Sequence, residues 1–157
     1  MKISATLEYG LVAVLDVTKS SSAGKRITAE QIARNHQIPL KFLESILAQL
    51  RAKRVISSQR GPNGGYLLLV DPHTYTVADL FRTLEGPLAA VRGMAPETVK
   101  YKGNAKNLTD VWVATRAAIR DVLEKTTLED IVDGDLPNEV TRQVQKKGSW
   151  KRRPAKN

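Results

Sequence analysis

The chain has 157 residues, with 25 Lys and Arg against 16 Asp and Glu for a formal charge of +9, and it contains no cysteine. That length builds a hydrophobic core without stapling by metal or disulfide. The missing thiols exclude a disulfide framework, a thiolate zinc site, a Cys nucleophile and a Cys-ligated iron–sulphur cluster.

The charge is unevenly spread. Residues 1–70 hold 10 basic and 4 acidic side chains, residues 71–144 hold 9 and 12, and residues 145–157 hold 6 and 0. A basic block followed by a mildly acidic middle points to a polyanion-binding module joined to a second module, with plain solubility as the bland alternative. The segment from Met1 to Glu8 carries an acid and a polar pair where a signal peptide needs an apolar run, and no stretch approaches transmembrane length. The expectation is a soluble cytoplasmic protein with no membrane partner.

In chain order, Leu7, Leu11, Val14, Leu15 and Thr18 recur at helical spacing and predict a first helix over 5–18, ended by Ser20 to Gly24. Thr28-Ala29-Glu30-Gln31 has the form of a capping box and opens a short helix ending near Asn35. Pro39 then suits the first position of a helix over about 39–53. Leu40, Leu43, Ile46, Leu47 and Leu50 form its buried stripe, while Lys41, Glu44, Ser45, Ala48 and Ala52 share a small, polar face. A helix entering the DNA major groove needs that combination, although an ordinary solvated face explains any one of these residues alone.

The next segment is the most specific. Arg60-Gly61-Pro62-Asn63-Gly64-Gly65-Tyr66 lies between the apolar runs Val55-Ile56 and Leu67 to Val70. One Pro and three Gly so close together make a tight connection, so the segment reads as a β-hairpin with a basic tip. Thr76 starts another helix, with Val77, Leu80, Phe81 and Leu84 buried and Gly86-Pro87 as its stop. Residues 89–106 show little periodicity and read as a long loop. From 108 to 125, Leu108, Val111, Trp112, Thr115, Ala118, Ile119, Val122 and Leu123 alternate in steps of three and four. This coiled-coil-like seam is read as a dimerisation helix, the alternative being packing on its own domain. Thr127 starts a short helix closed by Gly134. The end around Lys146 to Pro154 is basic and nearly without apolar residues. It reads as a disordered tail that adds phosphate contacts or is merely solvated.

The fold class is therefore mainly α with a small β-hairpin wing: a winged helix-turn-helix followed by a long C-terminal dimerisation helix. The expected organisation is a DNA-binding domain over 1–87, a loop over 88–107, the dimerisation and terminal helices over 108–135, and a disordered tail over 136–157.

The N-terminal Lys2 to Leu11, the block Ile38 to Glu44 and the hairpin Arg60 to Leu68 resemble the Rrf-type (IscR-, NsrR- and CymR-like) transcription regulators over roughly residues 1–135. The resemblance implies a homodimer on double-stranded DNA with palindromic operators, and a recognition helix presenting Pro39, Lys41, Glu44 and Ser45. It also places Arg60 of the wing in the minor groove. Glu44 suits a cytosine amino group, Lys41 a guanine edge or a phosphate, and Arg a narrow minor groove. The full candidate DNA-contacting set is Ser4, Thr6, Thr28, Pro39, Lys41, Phe42, Glu44, Ser45, Gln49, Arg51, Arg60, Gly61, Asn63 and Gly64. Ser4 and Thr6 are expected to bond phosphates and carry no sequence information.

Cluster-binding members of that family place three Cys in the loop before the dimer helix, and this chain has none. No metal or other cofactor is expected. Glu8, His36 and His73 stand without partners that would make them ligands. Residues Met94 to Lys102 read as a structural cover or an effector site. The function expected is a homodimeric repressor that takes its signal from a small molecule or a protein partner. The alternative is a docking protein for an effector or metabolic enzyme, with weak DNA binding. An enzyme is not expected, since neither His lies in a triad pattern and the Gly-rich turn lacks the Lys-Ser/Thr pair of a phosphate loop.

Overall fold

The computed structural model describes residues 2–152. Within them the chain forms α1 (Ala5–Ser22), α2 (Ala29–His36), α3 (Leu40–Ala52), β1 (Ile56–Gln59), β2 (Gly65–Leu68), α4 (Val77–Glu85), α5 (Leu108–Leu123), α6 (Leu128–Asp133) and α7 (Asn138–Gln145). Mainly helical with one antiparallel hairpin, this is the architecture read from the sequence.

Local signals set most boundaries. Ser4 caps α1, its hydroxyl accepting from the Leu7 N–H at 3.0 Å. Thr28, Thr76 and Thr127 each open a helix with a reciprocal capping box, through Gln31, Asp79 and Asp130. The last two boxes meet: the Val77 N–H donates to the Thr126 carbonyl at 2.9 Å and the Leu128 N–H to Tyr75 at 3.1 Å. These bonds sew the start of α6 to the start of α4. α1 runs a full turn past the expected Thr18, because Ser20 to Ser22 continue the helix and Ser21 receives the Leu68 N–H at 2.9 Å.

Val14 and Val17 of α1, Ile32 of α2, Leu43, Ile46, Leu47 and Leu50 of α3, Ile56, Leu80 and Leu128 form the main core. Burial of these side chains stabilises the three-helix unit by roughly 1.5–3 kcal/mol each. A smaller cluster of Leu7, Ala78, Phe81 and Leu88 joins α1 to α4, with Ile119 and Leu123 packed against it.

Three expectations are corrected here. Leu40, assigned to the buried stripe of α3, is 37% exposed, because it stands in the first turn before the helix reaches the core. Pro39 occupies the N-cap, with ψ at 119°, and the helix begins one residue later. Residues 138–145 of the expected tail form α7, where Lys125 bridges Asp121 of α5 at 2.6 Å and Glu139 of α7 at 2.9 Å. Residues 153–157 of that tail lie outside the described residues. The loop expected before the long helix contains two 3₁₀ turns, Pro96–Thr98 and Gly103–Ala105, with Pro96 and Val99 buried.

Candidate nucleic-acid interface

α3 projects from the core because the chain reverses sharply behind α2. Gln37 takes the left-handed conformation at φ 55°, and its N–H closes the helix on the Ala33 carbonyl. Leu43, Ile46, Leu47 and Leu50 then anchor α3, which leaves Lys41, Phe42, Glu44, Ser45, Gln49 and Arg51 exposed on its outer side. Phe42 is oriented by α1, its ring meeting that of Tyr9 edge-on at 5.7 Å. The Ser45 hydroxyl donates to the Phe42 carbonyl at 2.7 Å and keeps its lone pairs for an incoming donor.

The wing follows from its glycines. β1 and β2 pair from Ile56 with Leu68 to Gln59 with Gly65. Gly64 folds back so that its N–H donates to the Gly61 carbonyl at 2.8 Å. Gly65, at φ 126°, passes so close to the chain before α2 that a Cβ there would lie 2.7 Å from the Ile27 oxygen. That approach permits the Tyr66 N–H to donate to Ile27 at 2.8 Å, which fastens the hairpin to the start of the helix-turn-helix.

The wing thereby faces α3 across a groove of about 280 Å³ whose lining includes Thr28, Glu44, Arg51, Arg60, Gly61 and Gly64. Six of the residues proposed from sequence thus share one concavity. Arg51 is positioned across it, its Nη1 donating to the Ser58 hydroxyl at 3.2 Å. On the other side of the wing, Asn63 lies with Lys25, Arg26 and Gln31 in a second groove of about 460 Å³. Lys25 and Arg26 were not singled out in the sequence. Their only local signal is a basic pair after Gly24, and the distant Ile27–Tyr66 bridge is what brings them to the wing.

The α3–wing groove is not uniformly cationic. Glu30 is held below the usual carboxylate range by its own backbone N–H in the first turn of α2, then by the Thr28 hydroxyl. Burial pushes the Tyr66 phenol up, so it stays a neutral donor at physiological pH. Glu30 and Glu44 face Arg51 and Arg60 in one lining. Such a mixture presents both acceptors and donors, the combination that base edges require.

Other proposed residues lie elsewhere. The Ser4 hydroxyl serves as the α1 cap and also bonds Glu85 at the end of α4. Thr6 sits half-buried in the first turn of α1. On α5, Leu108, Val111, Trp112, Thr115, Ala118, Ile119, Val122 and Leu123 are all at least partly exposed. Ile119 and Leu123 contact the chain's own smaller core, whereas Thr115, Ala118 and Val122 extend the lining of an apolar groove of about 530 Å³. His36 contacts Asp16 at 3.0 Å. Among the described residues no group of three or more His, Cys, Asp or Glu is placed to hold a metal, and no helix is long and apolar enough to cross a membrane.

A helix-turn-helix with a basic hairpin packed against its cap, followed by a long helix beyond it, is the architecture of a winged-helix DNA-binding regulator. The model of the Rrf2 family, described as an iron-dependent transcriptional regulator, matches residues 3–134, and the chain belongs to that family. It is 39% identical over 142 residues to the HTH-type transcriptional regulator Rv1287 of Mycobacterium tuberculosis, covering 90% of this chain and 88% of the relative. It is 34% identical over 131 residues to the regulator CymR of Bacillus subtilis, covering 83% and 89%. The solved structure of that CymR, described as the global cysteine regulator of its organism, superposes with a TM-score of 0.72 at 30% identity, over 85% of this chain and 98% of that one. A T. potens IscR structure gives 0.69 at 27% identity, over 86% and 88%. The iron of the family description finds no thiolate donor here, since the chain has no cysteine, so the residues present do not fit a Cys-ligated cluster.

Proposed function

We propose that this regulator is a sequence-specific, homodimeric repressor of palindromic operators, and that its signal does not pass through an iron–sulphur cluster. The observation that carries the reading is the groove in which Glu44 and Arg51 of α3 face Arg60 of the wing. α3 supplies base-edge contacts through Lys41 and Glu44, and the wing supplies Arg60 to the adjacent minor groove. Thr28 and the exposed amides of Gly61 and Asn63 contact phosphate and set register. Support for a dimer comes from α5, a 16-residue helix with no buried residue and an apolar side beside Gln143 of α7. Two recognition helices related by a two-fold axis then read two half-sites.

The test is genome-wide DNA enrichment with the purified protein at near-physiological salt. A recovered palindrome with half-sites about one helical turn or more apart is the expected outcome. Enrichment without a motif would transfer support to a docking role with weak DNA binding.

A further inference from the structure

We infer that the cavity between α4, the segment 86–95 and α5 binds a small organic carboxylate. It has a volume of about 430 Å³, which is within the range of pockets that hold metabolite-sized ligands. Arg82 of α4 and Arg116 and Arg120 of α5 line it, together with Pro87, Leu88 and Met94, and no acidic side chain does. Arg116 and Arg120 stand one turn apart on the same face of α5, where like charges repel.

The carboxylates that balance these arginines lie outside the lining. Glu97 meets Arg116 Nη1 at 2.7 Å, Glu124 meets Arg120 Nε at 3.4 Å and also bonds Arg82, and Asp79 meets Arg82 Nη1 at 3.3 Å. For Arg116 and Arg120 these contacts use one nitrogen each. No nitrogen of Arg116, whose side chain is 16% exposed, is buried without a partner among the described residues, so its remaining donors open to solvent, and Arg120 is more exposed still. A planar fork of N–H donors in that state matches a carboxylate. The apolar wall settles the rest of the ligand. An inorganic anion would leave the exposed Pro87 and Met94 uncovered, and a neutral hydrocarbon would leave the guanidinium donors unmet.

A ligand seated there touches α4, which belongs to the winged unit, and α5, which lies beyond it. Its consequence for an operator rests on the function proposed above, but its binding does not. The test is a titration of the full-length ¹⁵N-labelled protein, followed by NMR in the absence of DNA, with benzoate, its neutral isostere benzamide, and inorganic phosphate. Benzoate is expected to shift the amides of Ala89, Ala90 and Ala95. Arg120→Gln should weaken that binding about tenfold, whereas Glu97→Gln, which removes the competitor for Arg116, should tighten it. Equal shifts with benzamide or with phosphate would overturn the inference, as would no shift with benzoate. So would unchanged affinity in an Arg120→Gln protein whose spectrum is otherwise native. Because the titration contains no DNA, its failure is distinct from failure to find an operator.

Discussion

Gly65 shows how one residue decides where the wing sits. Its φ of 126° and the Ile27 oxygen, 2.7 Å from where a Cβ would stand, act together, so Gly65→Ala combines left-handed strain with a backbone clash. We expect a loss of about 2–3 kcal/mol in urea unfolding. Gly61→Ala, at φ 102° with open space around it, should cost only about 1–2 kcal/mol. On the reading proposed above, the exposed side chains of α3 act on recognition instead of stability. Lys41→Ala and Glu44→Ala should each reduce operator discrimination by roughly 1–3 kcal/mol if they contact bases, with little change on random DNA. Fluorescence anisotropy on both DNAs separates this from a phosphate contact, for which the two losses would be equal.

At the scale of elements, α5 divides its apolar residues between the chain's own smaller core and the face proposed for the dimer. Ile119 and Leu123 lean on the chain's own smaller core, so replacing either would confuse folding with assembly. Ala118 is exposed on the groove side and gives the cleaner test. Ala118→Asp should produce a folded monomer with weakened operator binding, read by sedimentation equilibrium; an unaltered dimer would place the interface on another face. α7 depends on charge: the hydrogen bond from Lys125 holds both Asp121 and Glu139 below their ordinary values, and the two carboxylates raise Lys125. The carboxylate contribution is present above their unfolded pKa of about 4 and is lost as pH falls through the lower folded values. The lysine contribution is present below about 10.4 and is lost as pH rises through its higher folded value. Cα chemical shifts of α7 should therefore stay helical between these limits and fade outside them, and fade sooner in high salt because Lys125 and Asp121 are exposed and Glu139 is only partly buried.

The chain was most legible where a signal is local. The capping box at Thr28, the helix starts at Thr76 and Thr127, the stripe Leu43 to Leu50 and the glycines of the wing each combine a backbone demand with a residue type that meets it, and the elements form where those residues stand. What was missed depends on distant partners: Lys25 and Arg26 reach the wing through the Ile27–Tyr66 bridge, and α7 forms where Lys125 of the preceding segment meets Glu139. Charge belongs to the molecule as a whole, and here it is separated along the chain, with the basic excess of residues 1–70 followed by an acidic middle. The basic groups at the candidate interface, Lys25, Arg26, Lys41, Arg51 and Arg60, all fall in the first block. If about three or four of them per protomer neutralise phosphates, a dimer should show a slope of roughly −5 to −7 for the logarithm of the association constant against the logarithm of salt concentration. Random DNA should keep most of that slope while losing the affinity supplied by base contacts, because counterion release is indifferent to sequence. A nearly flat dependence on operator DNA would mean that the basic block does not meet the duplex, and the groove between α3 and the wing would have to serve a protein partner.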